Sequence, residues 1–166
     1  RHGRTLDGWQ PYGDTAMSFY ANSDNGASGY RAANQAVLAT GSDRTAVAHE
    51  ILHAYQFRNT GPDDYALALL GDEMRSFMAA TGWRQTVSDD VVRAAAHEPW
   101  DAINGLFVYE GHPLTYTDEK GGTATLAPSN PIEAFATAGA IYYARPDGAP
   151  LPTWPEYWAW FRDNLG

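Results

Sequence analysis

The sequence contains no cysteine, which excludes disulfides, thiolate metal ligands and a cysteine nucleophile. Any metal site must therefore be built from histidine and carboxylate side chains. Basic residues are also scarce, because 11 Lys and Arg stand against 20 Asp and Glu and give a formal net charge of −9. Such a chain has no basic face to hold a phosphate backbone, so we expect no nucleic-acid partner.

Long apolar runs are missing as well. No stretch approaches the roughly 18 apolar residues that a membrane-spanning helix needs, so no membrane span is predicted. At 166 residues the chain is long enough for one hydrophobic core but not for two. We therefore expect residues 1–166 to form a single domain, and we expect it to be monomeric. The sequence begins at Arg1 rather than Met, from which we expect that a leader has been removed.

What the chain does contain is the segment AVAHEILHAYQF, residues 46–57, with His49, Glu50 and His53 in the order HExxH. Residues four apart on a helix lie about 40° apart around its axis, so both imidazoles share one face. Glu50 lies about 60° from His53, close enough to reach a metal-bound water without being a ligand. The pattern predicts zinc held by the two histidines, with Glu50 as the general base.

A catalytic zinc site needs a third protein ligand, and the sequence offers two main candidates. The extended pattern HExxHxxGxxH is excluded, because positions 56 and 59 hold Gln and Asn. Glu73 follows His53 at a thermolysin-like spacing, but it could equally be a surface charge. Glu133 lies in NPIEAFA, where it could equally serve as a capping-box glutamate. Weaker candidates are Asp63, Asp64, His97 and His112.

The pair of segments HEILHAY and NPIEAFA, followed by Tyr143, resembles small bacterial zinc peptidases of the lethal-factor-like gluzincin type. Their third ligand lies in a motif like YAxTNxxEDFAE. The resemblance implies Zn²⁺ bound by His49, His53 and Glu133, with Glu50 as the catalytic base. It also implies a protein or peptide substrate and a bacterial protein that is secreted or held at the cell surface.

The chain departs from this motif at two positions. Leu126 occupies the place of a tyrosine whose hydroxyl would stabilise the oxyanion, and loss of one such donor costs about 3 kcal/mol. Ala134 replaces the acidic residue that usually follows the glutamate. Two alternatives therefore stay open: a weak or inactive zinc-bound accessory module, and an amide hydrolase acting on cell-wall material. Substitute donors for the oxyanion would be Tyr116, Tyr142, Tyr143 or His112.

The expected fold class is α+β and zincin-like, with a small N-terminal sheet, the HExxH helix and a mostly helical C-terminal half. Asn130 followed by Pro131 predicts a helix start, with Asn as the N-cap and Pro at the first helical position. Apolar residues at Trp154, Tyr157, Trp158 and Phe161 predict a terminal helix docked on the core. The remaining predicted elements are strands at 16–21 and 29–40, helices at 62–80, 89–96 and 131–144, and a loop or hairpin at 111–125.

Overall fold

A three-stranded sheet precedes the HExxH segment in the computed structural model of the chain. The model describes residues 18–22, 29–31, 35–39, 44–60, 65–95, 98, 100–117, 123–126, 128–144 and 152–166. The sheet contains β1 (Ser18–Asn22), β2 (Gly29–Arg31) and β3 (Gln35–Ala39). Strand β3 lies in the centre, parallel to β1 and antiparallel to β2.

The prediction of one continuous strand over residues 29–40 is therefore wrong. The segment forms two strands that fold back on each other, so that Gly29 pairs with Val37 and Arg31 with Gln35. Between the two strands the sequence reads Ala-Ala-Asn, residue types that are depleted in strands. The second of the two strands, β3, contains the apolar residues 36–39 with which the predicted strand ended.

Two long helices lie where the sequence predicts them. Helix α1 spans Arg44–Gln56 and carries the HExxH segment, while α5 spans Pro131–Ala144 and begins directly after Asn130. The side-chain Oδ1 of Asn130 accepts hydrogen bonds from the backbone N–H groups of Ile132 and Glu133, at 3.0 and 3.1 Å. The predicted N-cap is thereby confirmed, and it fixes the first turn of α5.

Helices α1 and α5 pack against each other at Gly139. A Cβ added to Gly139 would lie 2.6 Å from Leu52 Cδ1 and 3.2 Å from the ring of Phe161, both of which are buried. Because Gly139 has no side chain, the backbone of α5 leaves a space that the Leu52 side chain of α1 fills. This close approach brings the N-terminal turn of α5 towards the HExxH residues.

The predicted helix over residues 62–80 is interrupted. Its residues form α2 (Tyr65–Ala68) and α3 (Asp72–Thr81), while residues 61–64 lie outside the described part of the chain. Gly71 adopts an extended backbone with φ −72° and ψ 151° at the start of α3. Glycine disfavours a helix interior by about 1 kcal/mol, which accounts for the break at this position.

The rest of the chain builds the core beneath these helices. The aromatic side chains of Trp154, Tyr157 and Phe161 are buried, which confirms that the terminal helix docks on the core. Of the predicted loop or hairpin, the structure has the hairpin, and a further antiparallel pair formed by Trp83–Gln85 and Phe107–Tyr109 was not predicted. These elements are β4 (Trp83–Gln85), α4 (Asp89–Ala95), a 3₁₀ helix (Trp100–Ile103), β5 (Phe107–Tyr109), β6 (Leu114–Thr117), β7 (Thr123–Leu126) and α6 (Pro155–Leu165).

The architecture is α+β, with short strands and mostly helical content. Within the part of the chain that the structure describes, none of the helices has the length and apolar character needed to cross a bilayer.

Replacing Asn130 by Ala should lower the free energy of unfolding by about 1–2 kcal/mol, because two backbone donors of α5 lose their acceptor. Urea denaturation of the wild type and the variant measures this difference. The matched control is Asn59→Ala, the same substitution at an exposed position, for which we expect a change within about 0.5 kcal/mol. Equal losses in both variants would contradict the capping role.

Candidate metal centre

His49 and His53 present their imidazoles to each other one turn apart on α1. Their Nε2 atoms are 2.9 Å apart, and the two rings meet edge to face at an interplanar angle of 85°. His53 is buried, at 5% exposure, whereas His49 is half-buried. Burial, together with the nearby His49, lowers the pKa of His53 to about 4, although Glu133 and the contact with Gln56 oppose this shift. At neutral pH His53 is therefore the neutral imidazole that metals bind.

Glu133 completes the cluster from the first turn of α5. Its Oε2 lies 3.3 Å from His49 Nε2, and its Oε1 lies 3.6 Å from His53 Nε2. Within the described ranges, the ligand atoms of His49, His53 and Glu133 lie within 4.8 Å of one another, and this group could hold a metal ion. The structure thus brings together the three residues that the resemblance implied as ligands.

The spacing of these atoms fits a tetrahedral site. Ligands about 2.0–2.1 Å from a tetrahedral ion lie about 3.3 Å from each other. The two separations that involve His49 Nε2, 2.9 Å to His53 Nε2 and 3.3 Å to Glu133 Oε2, are similar to that value. Two imidazoles and one carboxylate are also a ligand set found in zinc sites that leave a fourth position open.

The competing candidate, Glu73, is engaged elsewhere. Its carboxylate accepts hydrogen bonds from the Tyr55 hydroxyl and the Arg58 guanidinium, and the Arg58 guanidinium also stacks over the Tyr55 ring. Burial and the bond to Glu73 hold the pKa of Tyr55 well above its usual range. Of the weaker candidates, His112 is exposed, and Asp63, Asp64 and His97 lie outside the described residues.

Glu50 lies beside the cluster with its carboxyl group buried, at 4% exposure. Its Oε2 atom has no hydrogen-bond partner among the described residues. Burial raises the pKa of Glu50 to about 7, while His49 opposes that shift and Glu133 adds to it. A buried carboxylate oxygen without a partner costs free energy, so this oxygen is suited to accept a proton from a small polar molecule at the cluster.

Two residues that the sequence analysis did not predict contact the outer nitrogens of the histidines. Gln56 Oε1 lies 2.9 Å from His53 Nδ1, and Thr137 Oγ1 lies 3.3 Å from His49 Nδ1. Metal-binding histidines usually engage such a partner through the ring nitrogen that does not face the metal. The position of Gln56, three residues after His53 on the same helix, was a usable signal; the position of Thr137 was not.

Two of the candidate oxyanion donors, Tyr142 and Tyr143, lie in the core. The Tyr142 ring stacks on Trp158 and Phe161, and the Tyr143 ring packs edge-on against Phe161. Both tyrosines are buried in the core through these contacts. The side chains of Tyr116 and Leu126 lie outside the described part of the structure.

No protein-family model matches the chain, and no curated protein or solved structure shows significant similarity to it. Conclusions about function therefore rest on the residues of the cluster and their geometry.

We expect the purified protein to bind one zinc ion per chain, and Glu133→Gln to weaken that binding by about a hundredfold or more. Removing a direct ligand should weaken metal binding by more than the 10–100-fold that is typical of removing a residue hydrogen-bonded to a ligand. Competition with a chromophoric chelator measures the Kd. Glu73→Gln is the matched control, and it should keep the wild-type affinity. Zinc lost in the control but retained by Glu133→Gln would reverse the assignment.

Proposed function

We propose that residues 1–166 form a single zincin-like domain that hydrolyses peptide bonds with the help of zinc. The observation that carries this proposal is the position of Glu50, a buried carboxyl with a free oxygen beside the cluster of His49, His53 and Glu133. A structural zinc site is closed by four protein ligands and has no need of such a carboxyl. The resemblance of the two helices to lethal-factor-like gluzincins supports the same proposal.

When bound, zinc supplies a Lewis acid that polarises the scissile carbonyl and makes a water molecule more acidic. Side chains of the protein itself would hold the ion and transfer the proton. His49 and His53 would offer imidazole nitrogens, and Glu133 would offer a carboxylate oxygen that offsets part of the ion's charge. The absence of cysteine leaves this nitrogen and oxygen ligand set as the chain's means of holding the ion.

Glu50 is the proposed general base and acid. Its Oε2 accepts a proton from the attacking water, whose oxygen forms a bond to the carbonyl carbon. The same carboxyl then gives that proton to the nitrogen of the leaving amine as the carbon–nitrogen bond breaks. The pKa of about 7 that burial gives Glu50 suits both steps, because neither protonation state is strongly disfavoured near neutral pH.

The proposed substrate is a protein or peptide, and the net charge of −9 favours cationic over anionic substrates. The same charge argues against a nucleic-acid partner. We propose that the protein acts as a monomer outside the bacterial cell or at its surface, where the resemblance places such peptidases.

Replacing Glu50 by Gln should leave zinc binding intact and reduce peptide hydrolysis by about 10²–10⁴-fold, which is the range of general-base catalysis. The amide keeps the size of the buried side chain but cannot take up the proton. The zinc-loaded protein is incubated with a mixed-sequence peptide library, and the cleavage products are counted by mass spectrometry. Glu110→Gln, at an exposed glutamate paired with Arg84, is the control and should retain full activity.

Three results would overturn parts of this proposal. Full activity of Glu50→Gln would remove Glu50 from the mechanism. A wild type that binds zinc but cleaves no peptide would favour the accessory module. Cleavage of cell-wall amides with peptides left intact would favour the amide hydrolase.

A further inference from the structure

Gln56 makes two polar contacts that link both helices of the metal centre. Its side chain is buried, at 6% exposure. Its Oε1 lies 2.9 Å from His53 Nδ1, and its Nε2 donates to the backbone carbonyl of Ile132 at 3.1 Å. The same nitrogen lies 3.7 Å from the sulfur of Met74, which is a weak acceptor.

The Ile132 contact decides which way the Gln56 amide points. A backbone carbonyl can only accept a hydrogen bond, so the NH₂ group of Gln56 must face Ile132. The reversed amide would place two acceptor oxygens 3.1 Å apart in a buried site and leave the Gln56 oxygen without a donor there. Oε1 therefore faces His53, and it too can only accept.

The amide orientation in turn decides the tautomer of His53. Since Oε1 accepts, His53 Nδ1 must carry the hydrogen, and a neutral imidazole then has its lone pair on Nε2. Nε2 is the atom that faces Glu133 and His49. A carbonyl on α5 thus sets, through one side chain, which nitrogen of a histidine on α1 can bind a metal.

The same contact also relates the position of His53 to that of Glu133. Ile132 and Glu133 are adjacent in the first turn of α5, and both of their N–H groups are capped by Asn130. The hydrogen bond from Gln56 to the Ile132 carbonyl therefore joins the helix of two candidate ligands to the turn that carries the third.

We infer that Gln56 is a positioning residue that holds His53 in the metal-binding tautomer and in register with Glu133. This inference rests on the proposed metal site, but its first readout needs no metal. In the metal-free wild type at pH 7, long-range ¹H–¹⁵N NMR should show His53 protonated at Nδ1 and unprotonated at Nε2.

The test variant is Gln56→Leu, which fills similar space but offers no acceptor. We expect a measurable population of the Nε2-protonated tautomer of His53 and a 10–100-fold weaker zinc Kd by chelator competition. Gln56→Glu keeps an acceptor for His53 Nδ1 but loses the donor to the Ile132 carbonyl. It should therefore keep the Nδ1-protonated tautomer and still bind zinc more weakly than the wild type. Met74→Leu removes the sulfur beside the same amide and should leave tautomer and Kd within about twofold of the wild type.

An Nε2-protonated His53 in the wild type would overturn the inference without any variant. It would also fall if Gln56→Leu kept the wild-type tautomer and Kd, or if Met74→Leu changed them as much as Gln56→Leu. Should Gln56→Leu fail to fold, the wild type and Gln56→Glu still decide the matter. A protein that shows the expected tautomers and zinc affinities but cleaves no peptide would refute the proposed function and leave the role of Gln56 standing.

Discussion

The close packing of α1 against α5 is the constraint on which the candidate site depends. Gly139 lets the buried side chain of Leu52 lie against the backbone of α5. Burial of a side chain such as Leu52 or Phe135 contributes roughly 1.5–3 kcal/mol each. That apolar contact holds together two histidine nitrogens and a carboxylate, groups that repel one another unless a proton or a cation lies between them. The burial of apolar side chains in the core therefore supplies the free energy that keeps the two histidine nitrogens and the carboxylate close together.

The sequence predicted the structure best where neighbouring residues of one helix determine it by themselves. The spacing of His49 and His53 fixes their common face whatever the surroundings, and Asn130 followed by Pro131 marks a helix start by local hydrogen bonding alone. The third ligand was different, because Glu73 and Glu133 were both compatible with spacing. Tertiary packing distinguishes them: Arg58 and Tyr55 engage Glu73, while the approach of α5 brings Glu133 to the histidines.

The parts that sequence reasoning missed depend on contacts between distant residues. Strands β4 and β5 have three residues each, too few for an alternating pattern, and they form only because they pair with each other. From the sequence alone, Gln56 served only to exclude the extended motif HExxHxxGxxH. Its role depends on the Ile132 carbonyl, 76 positions away.

The cluster also joins two helices that are far apart along the chain, in a protein that has no cysteine and hence no disulfide. A metal held by all three residues acts as a reversible cross-link, because the unfolded chain does not gather these ligands. At a free metal concentration one hundred times the Kd, such binding adds about 2.7 kcal/mol to folding stability. Metal availability would then govern how long the protein survives proteolysis, and a metal-poor environment would shorten its lifetime.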